Sequence, residues 1–284
     1  MTKLKKGFNP YIDDDIYHAE REHISSSGVK LMSELANQHN PKKFYKTYIL
    51  NENEQKYSAS LEFGKYMHSL VLEPDTVKDK YLIFNGAIRR GAKWDQCQKE
   101  AEEDGKSIIT ASQQELAEQL LKNYKEGKVI IGAHGYDQPV SLPSFFKKGE
   151  PEQTVCTELC GVKVKVRYDY FRKFSDFASI KDVKTTKDNI GTKHAVEKIC
   201  AGFDYDLSAA MYVDVGEKVL GKPIDFYFLF MSKSTGEVKL FRASKQMLEE
   251  GRKKYEAGLK AIKEARKSGN WFTNEVQEIN SIKL

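Results

Sequence analysis

The pattern of apolar and polar positions predicts helices in the first part of the chain. Residues 24–50 are expected to form short helices, because serines at 25–27 offer N-cap hydroxyls and Asn40 precedes Pro41 at a first helical position. A longer helix is expected from Ser60 to the residue before Glu73. Its apolar positions are Leu61, Phe63, Met67, Leu70 and Val71.

Residues 85–108 interrupt this pattern. The segment is polar, basic and contains glycine, which is typical of an exposed loop or lid. A helix from Ser112 to about Lys125 is expected to follow, with Glu115 completing a capping box.

The periodicity then changes from helix to strand. Residues 154–159 and 162–171 flank Cys160-Gly161 and predict a β-hairpin. One face of its second strand is expected to carry Val162, Val164, Val166, Tyr168 and Tyr170, and the other Lys163, Lys165, Arg167 and Asp169. A third strand over 178–184 places Ala178, Ile180, Asp182 and Lys184 on one side.

The remaining pattern predicts a helix over 204–220, an apolar strand over 224–231, a turn at 234–236, a strand to Phe241 and a helix over 244–268. This order predicts a mixed α/β (α+β) fold with a central mixed sheet flanked by helices. We expect one elaborated domain over 1–284. Its parts are a mainly helical region 1–150 with the basic loop 85–108, a catalytic sheet core 151–243, and a C-terminal helix and tail 244–284.

Composition narrows the class of protein. Hydrophobic residues make up 40% and charged residues 31%, as in globular proteins. No apolar run approaches the roughly 20 residues of a membrane span. Three lysines in residues 1–6 are followed by a polar segment rather than by the apolar stretch of a secretory signal, so we expect a cytoplasmic protein. The four cysteines are expected to be reduced thiols.

Basic residues outnumber acidic residues by 46 to 41, which permits a polyanionic partner. The distribution is more informative, because basic residues cluster near the candidate catalytic segments, and phosphate backbones bind to such clusters. These residues are Arg89, Arg90, Lys93, Lys163, Lys165, Arg167, Lys181, Lys184 and Lys187.

Asp182 and Lys184 are the strongest candidates for chemistry. They lie two apart on a strand and therefore point the same way, and Asp169 can approach from the neighbouring strand. Carboxylate oxygens suit Mg²⁺ or Mn²⁺. An acid-x-Lys triplet is weak evidence by itself, because others start at Glu54, Asp104, Glu126 and Glu237. The alternative is a solvated ion pair worth about 0–1 kcal/mol.

Five ordered blocks extend this candidate site: FGKYMH at 63–68, PE at 151–152, RYDY at 167–170, KDVKTT at 181–186 and YDLSAAMY at 205–212. Together with ISSSG at 24–28 and RRGAKW at 89–94, they resemble the PD-(D/E)XK nuclease superfamily, which has a restriction-endonuclease-like core. Within it the chain is similar to RecE (exonuclease VIII) exonucleases of phages and prophages. One block departs from the pattern of these nucleases. Ser208, four residues before Tyr212, stands where related nucleases often have glutamine.

The resemblance implies a function: Mg²⁺-dependent digestion of double-stranded DNA from its ends, with Mn²⁺ able to substitute and without ATP. His68, Glu152, Asp169, Asp182 and the Val183 carbonyl would hold or neighbour the metals, and Lys184 would position the attacking water. Taken alone, His68 fits a buried structural histidine and Glu152 an ordinary loop acid. Gly64, on the same helical face as His68, is expected to leave room beside the imidazole. The cysteines do not supply the arrangement of an iron–sulfur cluster.

DNA contacts are expected from Ser25, Ser27, Arg89, Arg90, Lys93, Arg167, Thr185, Thr186, Ser208 and Tyr212. The serines would cradle a terminal 5′ phosphate, or would only cap a helix. The Lys163/Lys165/Arg167 face would contact DNA or only solvent. Family resemblance further implies 5′ to 3′ resection for recombination in a bacterial host, a homo-oligomeric ring and a RecT-like annealing partner. The alternatives are an endonuclease of restriction or repair type and a catalytically inactive DNA-binding protein.

Overall fold

A computed structural model describes residues 4–10, 12–52, 58–86, 88–130, 132 and 138–272. The helices are α1 (Asp14–Ala19), α2 (Ser26–Met32), α3 (Pro41–Phe44), α4 (Ala59–Leu72), α5 (Val77–Lys80), α6 (Ala92–Glu103), α7 (Ala111–Glu126), α8 (Leu142–Phe145), α9 (Lys193–Gly202), α10 (Tyr205–Leu220) and α11 (Lys245–Ser268). A π-helical turn, Tyr45–Ile49, follows α3, and a 3₁₀ turn, Pro74–Thr76, precedes α5.

The strands are β1 (Gly7–Asn9), β2 (Ile24–Ser25), β3 (Tyr81–Phe84), β4 (Ser107–Thr110), β5 (Lys128–Val129), β6 (Val140–Ser141), β7 (Glu150–Leu159), β8 (Val162–Lys173), β9 (Ala178–Thr186), β10 (Ile224–Ser232) and β11 (Val238–Arg242). The main sheet has the order β1-β7-β8-β9-β10-β11, with β2 paired to β8. Within this main sheet the β9–β10 and β2–β8 pairs are parallel and the other pairs antiparallel. The prediction of a mixed sheet flanked by helices is therefore confirmed.

Two apolar cores cover the two faces of this sheet. On one face, α2, α10 and α11 bury residues such as Val164, Ile180 and Leu259. On the other, α4, α7 and α8 bury residues such as Phe63 and Leu120. Strand β10 contributes alternately to both cores, which explains its nearly continuous apolar sequence.

The alternation of side chains along β8 breaks at Asp169. Val166 and Tyr168 pack in the first core as expected, but Tyr170 packs in the second core and Phe171 in the first. The prediction that Tyr170 shares the face of Val166 and Tyr168 was therefore wrong. Pro151 pairs with Tyr170 and Gln153 with Tyr168, so Glu152 and Asp169 lie opposite each other between these pairs.

Two local predictions are corrected by the structure. Half of the segment expected as an open loop is helical, because α6 occupies 92–103 and packs through Cys97 and Ala101. The start of α7 has a capping box formed by Thr110 and Gln113, two residues earlier than the predicted one of Ser112 and Glu115. Helix α9 was not predicted. The end of the expected C-terminal tail, 273–284, lies outside the described residues.

The helix starts at Ser25 and Asn40 agree with the predicted capping. The Ser25 hydroxyl accepts a hydrogen bond from the Gly28 amide, and the Asn40 side chain accepts one from the Lys43 amide. In the described part of the chain, helices long and apolar enough to span a membrane are absent.

Candidate metal centre

Three side chains from separate elements converge beside the break in β8. His68 projects from α4, Glu152 from β7 and Asp169 from β8, and their ligand atoms all lie within 4.8 Å of one another. They come together because α4 packs across β8 and β9, while β7 and β8 are adjacent strands. The sequence-predicted His68, Glu152 and Asp169 therefore form one cluster.

The backbone of Val183 ties this cluster to β9. Its carbonyl oxygen accepts a hydrogen bond from Nε2 of His68 at 2.7 Å, and its amide donates to Oδ2 of Asp169 at 2.7 Å. A carbonyl cannot donate, so Nε2 of His68 must carry the proton. In the neutral imidazole, the Nδ1 lone pair then lies 3.4 Å from Oδ2 of Asp169. A cation between these two acceptors would relieve their repulsion.

Glu152 has an unusual backbone conformation and environment. Its φ angle is 50°, in the left-handed region that non-glycine residues rarely adopt. Burial raises the pKa of Glu152 to about 8, with the charge of Asp169 acting in the same direction and Arg167 opposing it. Oε2 of Glu152 lies 3.8 Å from Nη1 of Arg167. Two crowded carboxylates therefore lie in one partly buried site.

Asp182 and Lys184 form an ion pair next to this cluster, on the β9 face that packs against α10. Burial raises the pKa of Asp182 to about 6, although Lys184 opposes this shift. Burial alone would lower the pKa of Lys184, but the charges of Asp182 and Asp169 outweigh it and raise that pKa. The Lys184 ammonium also lies 5.3 Å from the centre of the Tyr205 ring. The pair is thus largely buried, unlike a solvated ion pair.

The donor set fits a hard divalent cation. The two carboxylates supply the oxygen ligands that Mg²⁺ and Mn²⁺ prefer, with the imidazole as a softer nitrogen donor beside them, and the close approach of Glu152 to Asp169 calls for a balancing positive charge. His68, Glu152 and Asp169 would hold the ion. Asp182 lies next to this cluster on β9, where its carboxylate is paired with Lys184. The Val183 carbonyl accepts a hydrogen bond from His68.

The cluster opens into a cleft of about 1270 Å³. Several of its lining residues were not singled out in the sequence: Asp14, Tyr17, Arg21, Tyr48 and Lys65. The ε nitrogen of Arg21 is buried and has no hydrogen-bond partner in the described part of the chain, and the guanidinium lies 5.5 Å from the centre of the Tyr48 ring. A search of the sequence for clusters of basic residues would not have identified Arg21, because both of its neighbours in the sequence are acidic.

The predicted DNA contacts divide into two groups. Ser25, Ser27, Arg167 and Tyr212 line the cleft. Among the cleft-lining residues of the described chain, the remaining candidates do not occur: Arg89, Arg90, Lys93, Thr185, Thr186 and Ser208.

Side chains of the second group have other partners or positions. Arg89 donates to Gln113 at 2.6 Å, and the Thr186 hydroxyl donates to Asp188 at 3.0 Å. A Cβ atom at Gly64 would lie 3.5 Å from the Thr185 hydroxyl oxygen. The glycine therefore leaves room beside Thr185 rather than beside the His68 imidazole.

The basic face of β8 mostly serves the fold. Lys165 is buried and donates to the Glu20 carbonyl oxygen at 2.5 Å, and its ammonium lies 4.5 Å from the centre of the Tyr17 ring. Lys163 pairs with Glu22. The alternative of a solvated face is therefore wrong for Lys165, which anchors the N-terminal segment, whereas DNA contact by this face stays a prediction.

The four cysteines are free thiols in this structure. Cys97, Cys156 and Cys200 are buried, whereas Cys160 is exposed at the β7–β8 turn.

Comparison with known proteins identifies the family. The family described as "PDDEXK-like domain of unknown function (DUF3799)" matches residues 25–283. No curated protein sequence matches the chain. A crystal structure from Eubacterium rectale, described as that of a "Putative exonuclease", has the same fold with a TM-score of 0.63, at 15% identity over 92% of this chain and 88% of that chain.

A second solved structure, that of SSO0001, overlaps 83% of this chain and 76% of that chain at 9% identity. Its TM-score of 0.32 does not establish a common fold. The family match, in contrast, spans nearly the whole chain. The chain therefore belongs to the PDDEXK-like domain family DUF3799, and through it to the PD-(D/E)XK nuclease superfamily.

Proposed function

We propose that this protein is a Mg²⁺-dependent exonuclease that digests double-stranded DNA from its ends. One observation carries the proposal: His68, Glu152 and Asp169 converge within 4.8 Å at the cleft, beside the Asp182–Lys184 pair. This is the chemistry that phosphodiester hydrolysis requires, because carboxylates hold a cation and an ammonium can stabilise the charge that develops on the phosphate.

Each side chain has a distinct task in this proposal. His68, Glu152 and Asp169 bind the cation, which when bound neutralises phosphate charge and activates water. Asp182 fixes the Lys184 ammonium through their ion pair, and its charge interacts with that of Asp169. Lys184 orients the attacking water and keeps its proton, since the charges of Asp182 and Asp169 raise its pKa above the usual lysine value. The Val183 carbonyl holds the His68 imidazole in place.

Cleavage from an end requires a group that recognises a terminus. Arg21, Ser27 and Tyr48 line the same cleft as the cluster, and the buried ε nitrogen of Arg21 has no hydrogen-bond partner among the residues that the structure describes. A guanidinium in this setting suits a terminal 5′ phosphate. The exonuclease description of the Eubacterium rectale protein, which has the same fold, supports end-directed rather than internal cleavage.

A direct test compares linear and closed circular forms of one plasmid, with Mg²⁺ and with excess EDTA. We expect loss of the linear form only, and only with Mg²⁺. Cleavage of the closed circle would favour an endonuclease instead. Intact DNA with Mg²⁺, together with salt-sensitive binding, would favour an inactive DNA-binding protein.

We extend the proposal to 5′ to 3′ polarity, a ring-shaped homo-oligomer and cooperation with a RecT-like annealing protein in recombination. These features rest on the resemblance to RecE-type exonucleases. Release of label from the 5′ end rather than from the 3′ end tests polarity, and light scattering tests the oligomer.

A further inference from the structure

Arg167 lies between two carboxylates, and one of its nitrogens faces both. Nη1 of Arg167 forms a hydrogen-bonded ion pair with Asp14, at the start of α1. The same nitrogen lies 3.8 Å from Oε2 of Glu152, which is beyond hydrogen-bond distance. Asp14 is mostly exposed, whereas Glu152 belongs to the proposed metal centre. The guanidinium is therefore paired with the outer carboxylate rather than with the inner one.

The remaining contacts hold the guanidinium in this position. Its Nε donates to the Thr154 hydroxyl at 3.1 Å, and Nη2 donates to the Ile12 carbonyl at 2.8 Å. The central guanidinium carbon lies 4.1 Å from the centre of the buried Tyr17 ring. Arg167 is consequently fixed by residues of the N-terminal segment and of β7, and its side chain is only 10% exposed.

An arginine so close to a metal-binding carboxylate presents a chemical problem. Guanidinium and carboxylate groups form strong bidentate pairs, and such a pair would occupy the lone pairs that Glu152 must offer to a cation. Rotation of the Arg167 side chain toward Glu152 needs to close only the short gap between Nη1 and Oε2. The contacts with Thr154 and Ile12 engage the other two nitrogens, so Nη1 needs a partner of its own to stay away from Glu152.

We propose that Asp14 is a positioning residue that takes up Nη1 of Arg167 and so leaves the Glu152 carboxylate free to bind a divalent cation. The inference rests on the proposed role of Glu152 as a metal ligand. It adds the N-terminal helix α1 to the active site, although α1 is separated from β8 by about half of the chain. The arginine still shields part of the negative charge of Glu152 and Asp169.

The test is calorimetric titration of the full-length protein with Mn²⁺, which requires no cleavage. Glu152→Gln is titrated in parallel, and only the Mn²⁺ binding that this variant loses is assigned to the proposed metal centre. We expect Asp14→Ala to weaken it by about tenfold or more, the usual effect of losing a group that orients a metal ligand. Asp15→Ala is the matched control, because Asp15 is the next residue of α1, has the same charge and is exposed. It should change the affinity by less than about threefold, since only screened long-range charge is lost.

A double variant separates the proposed cause from other effects of the substitution. Asp14→Ala/Arg167→Met lacks the guanidinium that would pair with Glu152, so Mn²⁺ affinity should return to within about threefold of the wild-type value. Thermal unfolding verifies that each variant is folded, and Asp14→Asn, which preserves the shape of the side chain, replaces Asp14→Ala if that variant does not fold. Its effect should have the same direction.

The outcomes distinguish this inference from the proposed function. If wild-type protein binds Mn²⁺ and cleaves DNA while Asp14→Ala and Asp14→Asn bind Mn²⁺ normally, the inference is wrong and the nuclease proposal stands. Tighter DNA binding by Asp14→Ala with unchanged Mn²⁺ affinity would also overturn it, because Asp14 would then only repel DNA. Absence of Glu152-dependent Mn²⁺ binding in the wild type would overturn both.

Discussion

The Nδ1 atom of His68 lies 3.4 Å from Oδ2 of Asp169. Because Nε2 of the same ring must donate its proton to the Val183 carbonyl, the neutral imidazole presents a lone pair to a carboxylate. Either a second proton on the ring or a cation between the two groups makes this arrangement stable. The hydrogen bond from His68 to the Val183 carbonyl therefore links the orientation of α4 to metal binding, because it sets the direction of the Nδ1 lone pair.

Substitution of His68 by glutamine should weaken Mn²⁺ binding by about tenfold or more, because it removes one donor of the cluster and the hydrogen bond that orients it. The fold should persist, since the His68 side chain is 27% exposed. Calorimetry and single-turnover cleavage measure the two effects. His194→Gln is the control, because His194 is a largely exposed residue of α9. Unchanged Mn²⁺ affinity in His68→Gln would exclude the imidazole as a ligand.

Much of the sheet and part of the site could be predicted from local patterns. The β7–β8 hairpin and β9 follow from alternation, and adjacency of the strands places Asp169 beside the β9 backbone. The helix that carries His68 follows from its apolar spacing and from its end before Pro74. Each of these features depends on a short stretch of sequence.

Other features depend on contacts between distant residues, which no local pattern contains. The break in β8 that moves Tyr170 to the other face arises where Glu152 and Asp169 oppose each other across two strands. The contact between Arg167 and Asp14 joins residues 153 positions apart. Helix α6 escaped prediction because it is polar and buries little more than Cys97 and Ala101.

Substitution of Arg21 by methionine should abolish any preference for 5′-phosphorylated ends. Wild-type protein should digest linear duplex with a 5′ phosphate faster than the same duplex with a 5′ hydroxyl, because Arg21 lines the cleft and its buried Nε has no acceptor among the described residues. Arg21→Met should digest both substrates at the slower rate while keeping Mn²⁺ affinity. Lys163→Met, on an exposed part of the neighbouring surface, is the control. Equal wild-type rates on the two ends would remove this role from Arg21.

Stability in acid should depend on Glu20. Burial alone would raise the pKa of Glu20, but hydrogen bonds from His23 and the charge of Lys165 outweigh it and lower the pKa from 4.5 to about 2. A lowered folded-state pKa means that the ionised carboxylate stabilises the fold fully above pH 4.5, and that this stabilisation disappears as the pH falls to about 2.

Glu20→Gln should therefore lower the free energy of unfolding by about 1–2 kcal/mol near pH 6, with the difference from wild type shrinking as the pH approaches 2. Denaturant unfolding between pH 2 and pH 6 measures it. Glu22→Gln is the matched control, because Glu22 is exposed on the same turn and pairs with the exposed Lys163. A constant difference between Glu20→Gln and wild type across this range would contradict the assignment of the charge as the cause.

The final prediction separates the two members of the Asp182–Lys184 pair. If the pair is only structural, removing one partner of this buried pair would cost about 3–5 kcal/mol of stability but would leave cleavage by the folded protein largely intact. If the pair is catalytic, Asp182→Asn should abolish Mg²⁺-supported cleavage. Lys184→Ala should retain Mn²⁺ binding, but its turnover should fall by roughly 10² or more, because one charge-stabilising group is lost. Single-turnover cleavage and Mn²⁺ calorimetry measure these effects. Glu237→Ala is the control, because Glu237 is the acid of another acid-x-Lys triplet. Its carboxylate pairs with Lys239 at 2.8 Å on the partly exposed β10–β11 turn. This variant should cleave DNA normally. Near-normal cleavage by folded Asp182→Asn would make the pair structural.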